Sequence, residues 1–506
     1  MLNLFGGPRS DHPMADLKEA RRLLEETQST EAYKALDELG HWLESVRGAE
    51  GFKPEHTAQV TLLIDEASQP HVRKLQRDYI SNPRQSRFQE QRLWGAIHGY
   101  WAQAAQSFVA LIDLHASGVK GADALKAGLP LLTVRALRAL AAQMKWAYMR
   151  YGPFDETLWA VVAKAYAAAE SRKITLTKVA AYPGAPADST AEQEFLRAVM
   201  LASSSPDSML PLEIEIAERL IANFSTSFKV TPDQQPDIAH WIDLASAQPP
   251  LRLARPPKHA PTLRFFAAGK AAQEMEQLIQ AISASGAVPS SLNLGGSYEP
   301  AMVIEVLRHL GLYWSPKPPD RQYPRHRVKS RLNVTSGFQG VYSALEPSAS
   351  LDFDQGRIEN WIVEDVSAGG FGASIPQLKG EWLKLGSLVG LQPEGGDNWI
   401  IGLIRRLSRD TPQQGSVGIQ SLAMTAVPVR LHEGVGSGGE PAVLLSYSID
   451  AVEVQFLLKA GVHVQGQNYE FDRDDKSVVL MQVAVMEQGE DYELLRAKQM
   501  VRETGE

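Results

Sequence analysis

A single change of rhythm divides this chain. Up to about residue 310, apolar residues recur every three or four positions; beyond the proline cluster Ser315-Pro-Lys-Pro-Pro319 they alternate in short runs broken by glycine and proline. A period near 3.6 puts apolar side chains on one stripe of a helix, and a period of 2 puts them on one face of a strand. The expected fold is therefore a multidomain α and β protein, with an all-α N-terminal bundle or helical-repeat region ahead of small antiparallel β-domains.

The helical rhythm begins with Leu17, Ala20 and Leu24, then Ala32, Leu36, Leu39 and Leu43. It continues from Arg87 to Ala116, where Phe88, Trp94, Trp101 and Phe108 read as helix core rather than an aromatic cofactor box. Further helical patterns cover 133–149, 155–171, 190–203, 210–224, 262–285 and 298–311. Small residues from Phe154 to Glu170 suit tetratricopeptide-type packing, but no period of about 34 residues is sustained. Both a repeat scaffold and a compact bundle fit this pattern.

After the prolines, strands are expected at Leu332–Val341, Asn360–Val366, Ser387–Gln392, Trp399–Leu407 and Gly415–Ser421, as in a small barrel or sandwich. Val427–Leu431, Val443–Tyr447, Val452–Leu458, Tyr469–Phe471 and Val478–Val485 are strand-like too, and Tyr492–Val501 reads as a terminal helix. This tail is either a second barrel, the preferred reading, or an extension of the first.

A net charge of -8 argues against coating a nucleic-acid polymer. With no cysteine, disulfides, thiol nucleophiles and Cys-ligated zinc are excluded. The first residues lack a secretory pattern and no run is long and apolar enough to span a membrane, so a cytoplasmic protein is expected. The histidines are scattered, no Gly-x-Ser-x-Gly elbow exists, and neither metal nor cofactor is expected. Gly434–Gly439 lacks the lysine and helix of a phosphate loop and reads as a hairpin loop. Asp472, Asp474 and Asp475 read as a polar turn rather than a calcium loop.

Two motifs stand apart. The first is a basic run, Arg321-Gln-Tyr-Pro-Arg325-His-Arg327-Val-Lys-Ser-Arg331, in which only Asp320 opposes the cations from Lys317 onward. Guanidinium forks grip phosphates bidentately and fit the O6/N7 edge of guanine. The second is Asp365-Val-Ser367-Ala-Gly369-Gly370, an acid, a hydroxyl and glycines where a strand turns. A solvated basic segment and an ordinary Asp–Ser turn are the plainer readings of each.

Taken together and in this order, Arg-x-x-x-Arg followed by Asp-x-Ser-x-x-Gly resembles the PilZ family over residues ~320–423; the helical region resembles no recognised family. The resemblance implies a PilZ-like antiparallel β-barrel that binds the bacterial second messenger cyclic di-GMP. The paired arginines would hold its phosphates and guanine edge, Asp365 would accept from guanine N–H groups, and Ser367 would bond a phosphate or base. Gly369 and Gly370 would let the ligand approach the backbone. Arg321/Arg325 and Arg327/Arg331 both have the required spacing; the family's loop placement favours the first pair. Asp320 stands where members binding an intercalated ligand dimer often carry arginine, which favours a single bound molecule. Arg405, Arg406 and Arg409 are possible extra phosphate contacts, read by preference as a solvated strand end.

The expected organisation is a helical partner-binding or output domain at 1–312, a Pro-rich hinge at 313–324, the barrel at 325–424 and the second β-region at 425–506. The expected function is that of a non-enzymatic cyclic di-GMP effector whose arginine segment is mobile until ligand orders it. The helical domain would engage an unidentified protein, and the resemblance implies motility, biofilm or polysaccharide secretion downstream. The alternative is an interaction scaffold whose barrel no longer binds ligand; an enzyme acting on cyclic dinucleotides lacks a general base or metal site.

Overall fold

The computed structural model describes residues 12–82, 86–317, 323–346, 358–378, 382–411, 413–432, 439–473 and 476–503. The chain divides into two compact units near residue 319, the second also taking in Tyr151–Pro153. Among the described residues, no helix is long and apolar enough to cross a membrane.

The first unit opens with eight helices: α1 (Leu17–Thr27), α2 (Ala32–Gly48), α3 (Pro54–Ser81), α4 (Arg87–Ala116), α5 (Leu129–Tyr148), α6 (Leu158–Ser171), α7 (Ala191–Ala202) and α8 (Pro211–Asn223). Side-chain caps fix several starts: Asp16 accepts from Lys18 and Glu19 N–H, and Thr190 forms a reciprocal capping box with Gln193. The unequal helices cross as a bundle, α2 packing on α3 and α4, and α5 on α4, α6 and α7. Of the aromatic stripe on α4, Trp101 and Phe108 are buried and Trp94 is half-buried, with its Nε1–H donating to the Trp146 carbonyl at 2.6 Å. Phe88, by contrast, is 74% exposed and takes no part in the core.

The reading of this region as wholly helical needs correction. Between α8 and the next helix lies a four-stranded antiparallel sheet, β1 (Lys229–Thr231), β2 (His240–Asp243), β3 (Leu251–Arg252) and β4 (Leu263–Ala267), in the order β1-β4-β2-β3. The helix expected over 262–285 is thus strand β4 and then α9 (Ala271–Ser285). Gly269 separates them at φ +57, where a Cβ would lie 2.5 Å from the Ser227 carbonyl oxygen. The last helix, α10 (Pro300–Trp314), runs two residues into the stretch read as hinge. Its end is held by buried Trp314, whose Nε1–H donates to Ser204 Oγ at 2.9 Å.

The bundle carries charge inside it. Arg135, on α5 and nearly fully buried, meets Asp65 at 2.5 Å and Glu66 at 2.9 Å, both on α3. Burial alone would raise the carboxyl of Glu194 on α7, but Arg138 and Arg197, with hydrogen bonds from Arg138 and Ser189, hold it down at about 2. A depressed carboxyl stabilises the fold above its unfolded value and loses that contribution as pH falls through the folded value. The helical unit should therefore weaken between pH 4.5 and about 2, with Glu194 alone accounting for roughly 3 kcal/mol. Glu194→Gln should flatten that acid limb, read as urea midpoints across the window.

In the second unit six strands close into an antiparallel barrel: β5 (His326–Ser336), β6 (Glu359–Ser367), β7 (Gly370–Ile375), β8 (Leu388–Pro393), β9 (Ile400–Arg409) and β10 (Gly415–Ala423), ordered β10-β7-β6-β5-β8-β9. Leu332, Val334, Trp361, Val363, Ala373 and Leu391 fill its interior. Buried Glu359 accepts from the stacked indoles of Trp361 at 3.0 Å and Trp382 at 2.9 Å. The strand expected at Leu332–Val341 stops at Ser336, and Gly337–Leu345 forms a helix, α11. Asp491, far along the sequence, accepts from the Phe338 N–H at 2.7 Å and so satisfies the new helix start.

The tail forms β11 (Ala426–Leu431), β12 (Glu440–Leu445), β13 (Glu453–Lys459), β14 (Tyr469–Arg473), β15 (Lys476–Gln488) and β16 (Tyr492–Glu503), ordered β11-β12-β13-β16-β15-β14. His432 and Glu470 exchange backbone hydrogen bonds of 2.8 and 2.9 Å, joining the two edges into a nearly closed second barrel. The expected terminal helix is instead β16, paired on both sides. Phe338 and Val341 of α11, Leu388 and Ile401 of the first barrel, and Leu457 and Leu494 of the second share one core. Residues 433–438 of the glycine loop, and Asp474 and Asp475, lie outside the described residues.

Candidate functional site

The two motifs meet on the outer face of the first barrel. Arg325 precedes β5, and its Nη1 lies 3.0 Å from Asp365 Oδ1 and 3.1 Å from Oδ2, with hydrogen-bond alignment only to Oδ2. Asp365 Oδ1 is buried and accepts no hydrogen bond of good geometry. Arg327 is the cross-strand partner of Asp365. One cation of the first motif thus contacts the acid of the second, and another stands opposite it in the strand pairing.

A β-bulge makes this possible. Trp361 and Val363 point into the barrel, and simple alternation would send Asp365 and Ser367 inward after them. Instead β6 takes two steps from Val363 to Asp365 while β7 takes one from Ala373 to Gly372. The extra residue, Glu364, reverses the phase, so Asp365 and Ser367 face outward while Val366 packs on the interior.

Gly372 completes the acid's position. A Cβ there would sit 2.9 to 3.0 Å from the Asp365 carboxyl atoms, so the missing side chain is the space the carboxylate uses. Gly372 pairs with Gly418 on β10, and Gly418 with Arg406 on β9. One row across the outer face therefore reads Arg327, Asp365, Gly372, Gly418, Arg406, with the Asp365 carboxylate lying over Gly372 and the Arg406 stem over Gly418. Gly372 and Gly418 are easily passed over in the sequence, since neither belongs to the two motifs. Their signal was glycine inside a strand, which marks close approach.

The turn of the second motif is tightly determined. Ser367 and Gly370 pair across the β6–β7 hairpin, and the Ser367 hydroxyl donates to the Gly370 carbonyl at 3.3 Å. Gly370 has φ +155 and lies against β10, where a Cβ would fall 1.9 Å from the Ile419 carbonyl oxygen. Gly369 accepts from the Ser421 N–H at 3.1 Å and supports the Tyr323 ring, which a Cβ there would touch at 3.0 Å. Tyr323, also passed over, lays the basic segment onto this hairpin.

Other residues of the reading fall elsewhere. Arg331 pairs with Ile362, four positions along β5 from Arg327 and so roughly 13 Å away. Arg405 is clasped by Glu487 of β15 at 2.6 and 2.8 Å and donates to Gln420 at 2.7 Å. Arg409 ends β9, beyond the glycine row. Arg321 and Asp320 lie outside the described residues.

Residues 18–235 match the family model described as the N-terminal domain of the cyclic-di-GMP receptor FimW. The match runs from α1 into the loop after β1 and ends ahead of the barrel and its arginines. Among curated proteins, none matches the chain.

Proposed function

We propose that this chain is a bacterial cyclic di-GMP effector whose PilZ-like site is the outer face of the first barrel. The observation that carries the reading is the contact of Arg325 with Asp365, with Arg327 opposite the same acid in the strand pairing. The match of residues 18–235 to the N-terminal domain of a cyclic-di-GMP receptor supports it from the other half of the chain.

The chemistry is complementary. Arg325, with Arg321 beside it in sequence, supplies forked donors to the phosphates, and Arg327 adds a third cation. Asp365 exchanges its contact with Arg325 for the N1–H and N2–H donors of guanine. Gly372 and Gly418 let the Asp365 carboxylate and the Arg406 side chain lie close against the backbone, which holds both on the face offered to the ligand. Arg331, set apart on β5, is peripheral in this reading. The basic segment is also the covalent link between the helical and β units, so ligand contacts act at that joint. The helical unit is the module for a protein partner, in motility, biofilm formation or polysaccharide secretion, and the chain acts in the cytoplasm by binding rather than catalysis.

Isothermal titration calorimetry of the full chain with cyclic di-GMP tests this, and one ligand per chain is the expected stoichiometry. Absence of heat would leave the barrel as a surface for protein contacts. Gly372→Ala refines the test. Its Cβ meets only the end of the Asp365 side chain, so the melting temperature should hold while affinity falls about 10-fold, equal to 1.4 kcal/mol. Unchanged affinity would mean that the carboxylate's position is immaterial.

A further inference from the structure

The helical unit contains a cavity of about 590 Å³ walled by α3, α5, α7, α8 and the turn at 182–186, a volume typical of small-molecule sites. Three carboxylates line it, and each is already engaged. Glu66 takes Arg135 at 2.9 Å; Glu194 takes Arg138, Arg197 and the Ser189 hydroxyl; Glu218 takes Arg197 at 2.6 Å and Lys145 at 3.3 Å.

The cations are less fully used. Arg73, Arg138, Lys145, Arg197 and Arg219 face the same cavity from four different helices. A guanidinium has five N–H donors. Among the described residues, Arg138 hydrogen-bonds only to Glu194, and its Nε is buried with no acceptor. Among them too, Arg219 hydrogen-bonds only through Nε, to Glu215 at 3.0 Å, and Arg73, exposed at the rim, forms no ion pair. Counting Arg135, Asp65 and Glu215 behind the wall, six cations meet five carboxylates, and Arg73 is the excess. The five inner cations equal the five carboxylates in number, so Arg73 adds an extra positive charge at the rim, and N–H donors of Arg138 and Arg219 remain over.

We propose that the cavity binds a small phosphorylated molecule, its phosphoryl oxygens held by Arg73, Arg138, Arg197 and Arg219. Donors arriving from four helices suit the three oxygens of a phosphoryl group better than the two coplanar oxygens of a carboxylate. Val72, Trp101, Ala141, Ala142 and Leu201 provide apolar wall for the organic remainder. The site is independent of the barrel and of the reading given to it.

The test is calorimetric titration of the full chain with pyrophosphate, GMP and GTP, repeated on Arg73→Gln, Arg219→Gln and Arg325→Ala. Neither Arg73 nor Arg219 is a core residue, and an unaltered melting temperature would verify that their variants fold. The expected result is saturable binding of at least one probe, weakened about 10-fold or more by either cavity substitution and untouched by Arg325→Ala. Pyrophosphate binding would place recognition in the phosphoryl group, and binding of nucleotides alone would add the base. No saturable binding by the wild type, or binding that both cavity variants leave intact, overturns the proposal.

Discussion

Arg325→Ala is expected to weaken cyclic di-GMP binding about 100-fold, the loss of two charge-assisted hydrogen bonds worth roughly 3 kcal/mol together. The same substitution should scarcely change stability. The Arg325–Asp365 pair is partly exposed, at 45% and 28% of the two side chains, and such pairs contribute about 1 kcal/mol or less. Arg331→Ala is the matched control. It removes an equal charge from the same strand but at a position opposite Ile362, and affinity should fall less than about 3-fold. If Arg331→Ala proved the more damaging, the site would lie further along β5 than the contact with Asp365 indicates.

The second large effect is on folding. Arg135→Ala should destabilise the helical unit by about 3–5 kcal/mol, because it leaves the Asp65 carboxyl buried without its cation. Asp65 is 1% exposed and has Arg135 at 2.5 Å and the Tyr100 hydroxyl at 2.6 Å. The Arg135 guanidinium also lies 3.9 Å over the Tyr182 ring. Removing both charges, as Arg135→Met with Asp65→Leu, should restore most of the loss, since an apolar pair of similar volume needs no compensation. Urea unfolding followed by helical circular dichroism measures both. A loss below about 1 kcal/mol in Arg135→Ala would mean that water reaches Asp65 readily.

The acid-dependent weakening expected from Glu194 belongs to the same interior. These charges were invisible as a group in the sequence. Arg135, Arg138 and Lys145 sit on one side of α5, but their carboxylates come from α3, α7 and α8, up to 73 residues away.

Much of the architecture was legible because it rests on local periodicity. The helix expected from Arg87 to Ala116 has those bounds, and β6, β8, β9 and β10 fall within about two residues of the expected segments. The failures share one cause, a long-range partner overriding local preference. Tyr492–Val501 is rich in Glu, Leu, Arg, Lys and Gln, all good helix formers, yet β13 and β15 flank it and draw it into the sheet. Gly337–Leu345 continues an apparent strand but becomes a helix under Asp491. Proline-punctuated residues 229–267 form a sheet whose strands are too short for their alternation to show.

The change from helical to strand rhythm, the absence of thiol chemistry, and the two motifs with their residue types are all readable in the order of residues. How those motifs face each other depends on the folded chain. The bulge at Glu364 turns Asp365 outward, Gly372 makes room for its carboxylate, and the pairing of β5 with β6 brings Arg325 into contact with it and sets Arg327 opposite it, while Arg331 lies further along the strand. Periodicity is written in neighbouring residues, whereas strand phase and charge pairing are settled by which distant segments share a hydrogen-bonded row.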